Sequence, residues 1–194
     1  MSEFVDPYID PKTGILRNLV GATTYPELRK AEGDIVTLSE ISLDDIPHTV
    51  NLVELQEIHK RLFSKIYDWA GELRTVNIRK GSEEYFLDYI YLENGAKLVF
   101  EKLSKENHLQ ELKREEFIKR LAYFYEQLNF IHPFREGNGR AQRIFWQIIA
   151  NKAGYKIDWS KVVGEELDSA SLIGRTENNL EPLEIMFKKI VDLN

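Results

Sequence analysis

The run His132-Pro133-Phe134-Arg135-Glu136-Gly137-Asn138-Gly139-Arg140 constrains this chain more than any other stretch. It lies between two segments with apolar residues at helical spacing. Leu121, Phe124, Tyr125 and Leu128 precede it, and Ile144, Phe145, Ile148 and Ile149 follow. Pro133 cannot donate a backbone hydrogen bond and disfavours helix at the residue before it, so the first helix stops at His132. Gly137 and Gly139 permit the turn from which the second helix opens. The result is a helix–loop–helix whose loop carries a histidine, a carboxylate and an arginine. Arg143 follows three residues later.

Each residue has a chemical reading and an ordinary one. A neutral His132 imidazole can act as a general base near neutral pH, or simply cap a helix end through its dipole. Glu136 can hold Mg²⁺ through one carboxylate when substrate phosphates supply other ligands, or be a solvated loop acid. Gly137-Asn138-Gly139 can turn successive N–H groups toward an anion, or form a common Asn-Gly turn. Phe134 is a loop anchor buried against the core. Arg140 and Arg143, three apart at a helix start, should point to one side. The helix dipole disfavours cations there, so an anion is expected between them. His132 and Glu136 are four apart, but Pro133 and Gly137 exclude a helical metal pair. Together the parts suit a nucleoside triphosphate.

The remaining pattern is mostly α. Residues 1–22 read as an irregular surface arm with Pro7, Pro11 and Gly14. A helix is expected from Thr24 to about Leu38, and a break at Asp44-Asp45-Ile46-Pro47. Leu52, Leu55, His59, Leu62, Phe63, Ile66 and Tyr67 predict a helix ending near Trp69-Ala70-Gly71, with Gly71 as its cap. Thr75 to Arg79 alternates like a strand. Lys80-Gly81-Ser82 reads as a turn, and Glu84 to Phe86 as the return of a small β-hairpin. Further helices are expected at 93–106, 114–130, 139–153, 160–173 and 179–192.

With 194 residues and 43% apolar content, the chain can bury one core. A formal net charge of −6 argues against direct nucleic-acid binding, so an anion site must be a local basic pocket. The chain has no cysteine, so disulfides are excluded, which is compatible with a cytoplasmic setting. The acidic start Met1-Ser2-Glu3-Phe4-Val5-Asp6 does not read as a secretory signal. No apolar run approaches the roughly 18 residues that a membrane span needs.

The run from His132 to Arg140, followed by Arg143, resembles the signature of Fic-domain proteins, His-Pro-Phe-x-Asp/Glu-Gly-Asn-Gly-Arg. The segments His59 to Phe63, Tyr67 to Gly71 and Arg74 to Gly81 are also similar to that family. The resemblance spans roughly residues 24–192. It implies a single, mostly α Fic-type domain over 23–194, after an arm over 1–22, with a β-hairpin flap at about 75–87. The implied activity is transfer of AMP from ATP to a Ser, Thr or Tyr hydroxyl of a target protein, in a bacterial cytoplasm. His132 would be the base and Glu136 the Mg²⁺ ligand. The amides of Gly137, Asn138 and Gly139 would cradle phosphates, and Arg140 and Arg143 would clamp the β- and γ-phosphates. Ile78, Arg79 and Ser82 on the flap would dock the target by strand pairing. Lys80 and Gly81 would touch the nucleotide.

Many members of that family are silenced by a helix with the pattern Ser/Thr-x-x-x-Glu-Gly/Asn. Glu177-Asn178 has the right end, but position 173 is isoleucine. Thr23 and Glu27 have the right spacing, but Leu28 follows. The chain thus resembles the class inhibited by a separate small antitoxin bearing that helix, and type II topoisomerase ATPase subunits are the implied targets. Three alternatives stay open: another nucleotide or phosphocholine donor, a secreted effector or module of one, and a non-catalytic nucleotide-binding regulator.

Overall fold

The structure is a computed structural model that describes residues 5–39, 48–79 and 86–194. Seven α-helices are found among the described residues: α1 (Tyr25–Ser39), α2 (Leu52–Phe63), α3 (Leu92–Lys105), α4 (Arg114–Ile131), α5 (Asn138–Lys152), α6 (Gly164–Glu177) and α7 (Glu181–Ile190). The mostly helical fold expected from sequence is borne out, with most ends within a residue or two of their expected positions. The exceptions are the end of α2 and the bounds of α6. None of these helices is long and apolar enough to cross a membrane.

Buried α4 is the hub of the bundle. It packs against α3, α5, α6 and α7, while α2 packs along α5. Phe117, Leu121, Phe124 and Leu128 of α4 are fully buried, as are Phe145 and Trp146 of α5 and Phe187 of α7. Burial of such aromatics is the largest apolar contribution available to a domain of this size.

Local chemistry sets the helix starts. Asn51 caps α2 by accepting the Glu54 N–H at 3.1 Å. Glu27 accepts the Thr23 and Thr24 N–H groups at 2.9 and 3.1 Å, which holds its carboxyl below the usual range and caps the start of its own helix. Pro182 sits in the first turn of α7, where its missing N–H costs nothing.

Three expectations need correction. Helix α2 stops at Phe63, with Ser64 as its cap, not near Gly71. Ile66 and Tyr67 keep helical spacing because they are buried in a following turn, where both N–H groups donate to the Phe63 carbonyl at 2.8 Å. The arm is irregular but does not merely lie on the surface: Tyr8, Ile15 and Leu16 are buried in the core. The described two-stranded sheet is also not where the hairpin was expected. β1 (Tyr155–Ile157) pairs antiparallel with β2 (Val191–Leu193), with Lys156 opposite Asp192. It ties the end of α5 to the end of α7.

Of the expected hairpin, residues 75–78 are not in a strand, and one bond closes its base, from the Phe86 N–H to the Ile78 carbonyl at 3.1 Å. Lys80, Gly81 and Ser82, with the rest of the turn, lie outside the described residues, as does the expected break at 44–47.

Candidate active site

The loop between α4 and α5 is held from three sides. His132 caps α4 in the left-handed region, at φ 45° and ψ 63°. That is not the extended conformation a pre-proline residue favours, so the surroundings must impose it. Arg74 does much of this. Its guanidinium donates to the carbonyls of His132 at 2.8 Å, Val76 at 2.7 Å and Ile131 at 3.2 Å, and also to that of Leu87. Its backbone N–H donates to the Pro133 carbonyl at 2.9 Å. The side chain is buried, and burial lowers its pKa to about 10, so it stays a cation at the carbonyl end of α4.

A second support comes from α2. The His59 Nδ1 accepts the Gly71 N–H at 2.9 Å, so its proton is on Nε2, which donates to the Glu136 carbonyl at 2.9 Å. The ring stacks on Phe134 at 3.9 Å between centroids. Burial pushes the His59 pKa down to about 4, so this histidine is a neutral strut. Gly71, at a positive φ of 87°, lies beyond the end of α2 and makes this contact instead of capping that helix.

The third support is internal. Asn138 both accepts the Phe134 N–H and donates to the Phe134 carbonyl, each at 2.8 Å. Its side chain is therefore committed to closing the loop. Asp6 of the arm adds a pair to Arg135, at 2.8 and 3.0 Å.

Within this frame the expected residues gather around a cavity of about 580 Å³. His132, Glu136, Gly137, Asn138, Gly139 and Arg143 all line it. Phe134 is fully buried beneath the loop, as an anchor should be. Opposite the loop, α6 contributes Leu167, Asp168, Ser171 and Arg175, and Ile78, Arg79 and Phe86 form a further wall. Phe86 stacks on the His132 imidazole with centroids 3.8 Å apart.

The His132 Nδ1 lies 3.1 Å from the Asn129 carbonyl. A carbonyl only accepts, so Nδ1 carries the proton and Nε2 the lone pair. Gly137, at φ 81°, starts α5 without a side-chain cap, so the first amides of the helix lack intrahelical acceptors. The Glu136 Oε1 accepts the Gly137 N–H at 2.9 Å, seating a carboxylate on the turn that opens α5.

The two arginines part company. Arg143 borders the cavity, with its guanidinium 5.8 Å from the Trp159 ring centre. Its buried Nε has no hydrogen-bond partner among the described residues. Arg140 does not line the cavity. Its Nη2 pairs with Glu32 of α1 at 3.0 Å and with Glu136 at 3.4 Å. The two were expected to share one anion, but the charge of Arg140 at this helix start is answered by protein carboxylates. Arg74, His59 and Glu32 were not singled out from sequence as site residues, although all three hold the loop or its arginine. Glu32 and His59 carry the local signal of a polar residue set among apolar helix positions, and His59 and Arg74 open segments that resemble the family.

Comparison with known proteins follows the same outline. Residues 49–150 match the model of the Fic/DOC family. The chain is similar to the probable protein adenylyltransferase Fic of Escherichia coli, at 34% identity, covering 96% of this chain and 92% of that protein. It is 39% identical to the protein adenylyltransferase VbhT of Bartonella schoenbuchensis over 86% of this chain, but spans only 35% of that longer protein. Among solved structures it is similar to the BepC effector of Bartonella tribocorum with bound AMPPNP. The TM-score is 0.91 at 26% identity, covering 96% of this chain and 97% of that one.

Proposed function

This chain belongs to the Fic/DOC family, and from that premise we propose that it is a protein adenylyltransferase, moving AMP from ATP to a Ser, Thr or Tyr hydroxyl of a protein. The observation that carries this reading is the tautomer of His132. The Asn129 carbonyl holds the proton on Nδ1, which leaves Nε2 as the basic nitrogen of a histidine that lines a cavity beginning at a helix N-terminus.

His132 Nε2 takes the proton of the target hydroxyl, and its oxygen attacks the α-phosphorus. The bond to the bridging oxygen breaks, and pyrophosphate leaves with the electron pair. Charge develops on the phosphate oxygens, and the amides of Asn138 and Gly139, with that of Gly137 once it is released from the Glu136 carboxylate, would stabilise it there. Arg143 and Arg140 serve the phosphates beyond. Glu136 suits a Mg²⁺ ion: its carboxylate lines the cavity, and among the described residues no group of three or more His, Asp or Glu gathers to hold one alone. Phosphate oxygens would complete the ligands. When bound, the ion neutralises charge on the phosphates. Ile78 and Arg79, with Lys80, Gly81 and Ser82 beyond the described residues, would receive the target segment and the nucleotide.

In this reading the chain is a bacterial toxin restrained by a separate antitoxin whose Ser/Thr-x-x-x-Glu-Gly/Asn helix pairs with Arg143. Type II topoisomerase ATPase subunits are its candidate targets. Inhibition retained after Arg143→Ala would refute that pairing. The similarity to BepC favours a second reading, a secreted effector acting on host proteins. The experiment is transfer of label from α-labelled ATP with Mg²⁺ into bacterial and eukaryotic lysates, comparing this chain with His132→Ala. A His132-dependent band in the bacterial lysate supports the toxin reading, and one confined to the eukaryotic lysate the effector reading. Bound ATP without a band in either would overturn transferase activity.

A further inference from the structure

Arg140 stands at the N-terminus of α5, where the helix dipole repels a cation, yet it is held there. The holder is Glu32, a residue 108 positions away on α1. Glu32 is buried, at 7% exposure. One of its oxygens accepts from the Tyr67 hydroxyl, and the other receives the Arg140 Nη2 at 3.0 Å. A buried carboxylate with both oxygens engaged is a fixed acceptor. The same Nη2 reaches the Glu136 carboxylate at 3.4 Å, and the guanidinium lies 4.6 Å from the Phe63 ring centre. Both ion pairs use one nitrogen of a planar five-donor fork, so the remaining donors stay available to a phosphate.

We propose that Glu32, anchored by Tyr67, is a positioning residue that presents the Arg140 guanidinium to the phosphates beyond the α-phosphate of the bound nucleotide. This rests on the nucleotide-transfer reading above. Without the Glu32 charge, the half-exposed Glu136 carboxylate is the one ion-pair partner left to Arg140 among the described residues. The guanidinium then swings toward the metal-binding side chain and loses its preset orientation. Preorganisation of this kind lowers the ordering cost of binding.

The test is calorimetric titration of ATP and of AMP, with Mg²⁺, into the His132→Ala chain, with and without Glu32→Gln or Tyr67→Phe. The expected result is ATP binding about tenfold weaker with Glu32→Gln and AMP binding unchanged, the size of one charged hydrogen bond. Tyr67→Phe removes only a hydroxyl, so it keeps the test available should Glu32→Gln fail to fold, and it should give a smaller shift in the same direction. Unchanged ATP binding in the folded variants, equal loss for both nucleotides, or tighter ATP binding would each overturn the inference. Failure of the parent chain to prefer ATP over AMP would instead overturn the functional reading.

Discussion

The Arg74 guanidinium donates to the carbonyl oxygen of His132 at 2.8 Å, across 58 residues of sequence. The histidine's backbone is thereby held in a left-handed conformation that its following proline disfavours. Position and tautomer have separate sources: Arg74 fixes where the imidazole starts, and the Asn129 carbonyl fixes which nitrogen bears the proton.

His132→Ala should therefore lower AMP transfer by about 10²–10⁴-fold, the usual loss on removing a general base. ATP binding should stay nearly intact, because the imidazole acts on the hydroxyl. Filter binding of labelled ATP beside the transfer assay decides this. Equal loss of both would make His132 a structural residue.

Arg74→Met should destabilise the fold by at least about 3 kcal/mol, since it orphans several buried carbonyls that accept from a cation. Denaturant unfolding of both chains measures this. A midpoint unchanged from the parent would mean that the carbonyls find other donors and that the clamp is dispensable.

Gly137 and Gly139 look alike in the motif but should respond differently to alanine. A Cβ at Gly137 would come within 2.5 Å of Phe63 ring carbons, at a φ of 81°. At Gly139 it would meet nothing within 4 Å. Gly137→Ala should cost about 1–3 kcal/mol from overpacking, with strain added. Gly139→Ala should stay within about 0.5 kcal/mol of the parent. Thermal melts of the two variants separate the cases, and equal melting temperatures would contradict the packing.

These contacts show which parts of the site the sequence could reveal. The reactive groups were legible because they are contiguous: Pro133 and Gly137 bound the loop, and His132, Glu136 and Arg143 hang from it. Their supports were not, because Glu32, His59 and Arg74 are brought in from distant segments, and nothing local marks a polar core residue as a strut. The Glu32 partner of Arg140 lies 108 positions away, so helical spacing alone does not show it. The β1–β2 pair was missed for a similar reason. Three-residue strands carry too little alternation to be seen, and their register is set by the packing of α5 and α7. Helix α2 is shorter than its spacing predicts because a buried turn can mimic helical spacing.

Two buried titratable groups should act in opposite directions on stability between about pH 4.5 and 6.5. Burial lowers the His59 pKa to about 4, below its unfolded value, so the unfolded chain takes up the proton first. Its contribution is present above about pH 6.5 and is lost as pH falls toward 4. Burial raises the Glu126 carboxyl to about 7, so here the folded chain takes up the proton first. That contribution is full below about pH 4.5 and is lost as pH rises through 7. His59→Gln should remove the first and leave the second, so the variant should gain stability relative to the parent as pH falls. The slopes should differ by at most about 1.4 kcal/mol per pH unit, the value for one proton. Parallel unfolding curves across this range would show that His59 does not titrate as a buried neutral strut.

Arg143 gives the sharpest prediction about the nucleotide. Its Nε is buried without a hydrogen-bond partner among the described residues, an arrangement that ordinarily costs stability unless a ligand completes it. The side chain borders the cavity beside Trp159, away from the Glu32 that holds Arg140. It should therefore serve the terminal phosphate. Arg143→Ala should weaken ATP about 10–100-fold, the loss expected for a charged hydrogen bond or two, and leave AMP unaffected. ADP separates the arginines: it should lose little with Arg143→Ala but follow ATP with Glu32→Gln, because Arg140 would reach the β-phosphate. Titration of the three nucleotides reads this directly. A loss of AMP binding as large as that of ATP would place Arg143 at the α-phosphate instead.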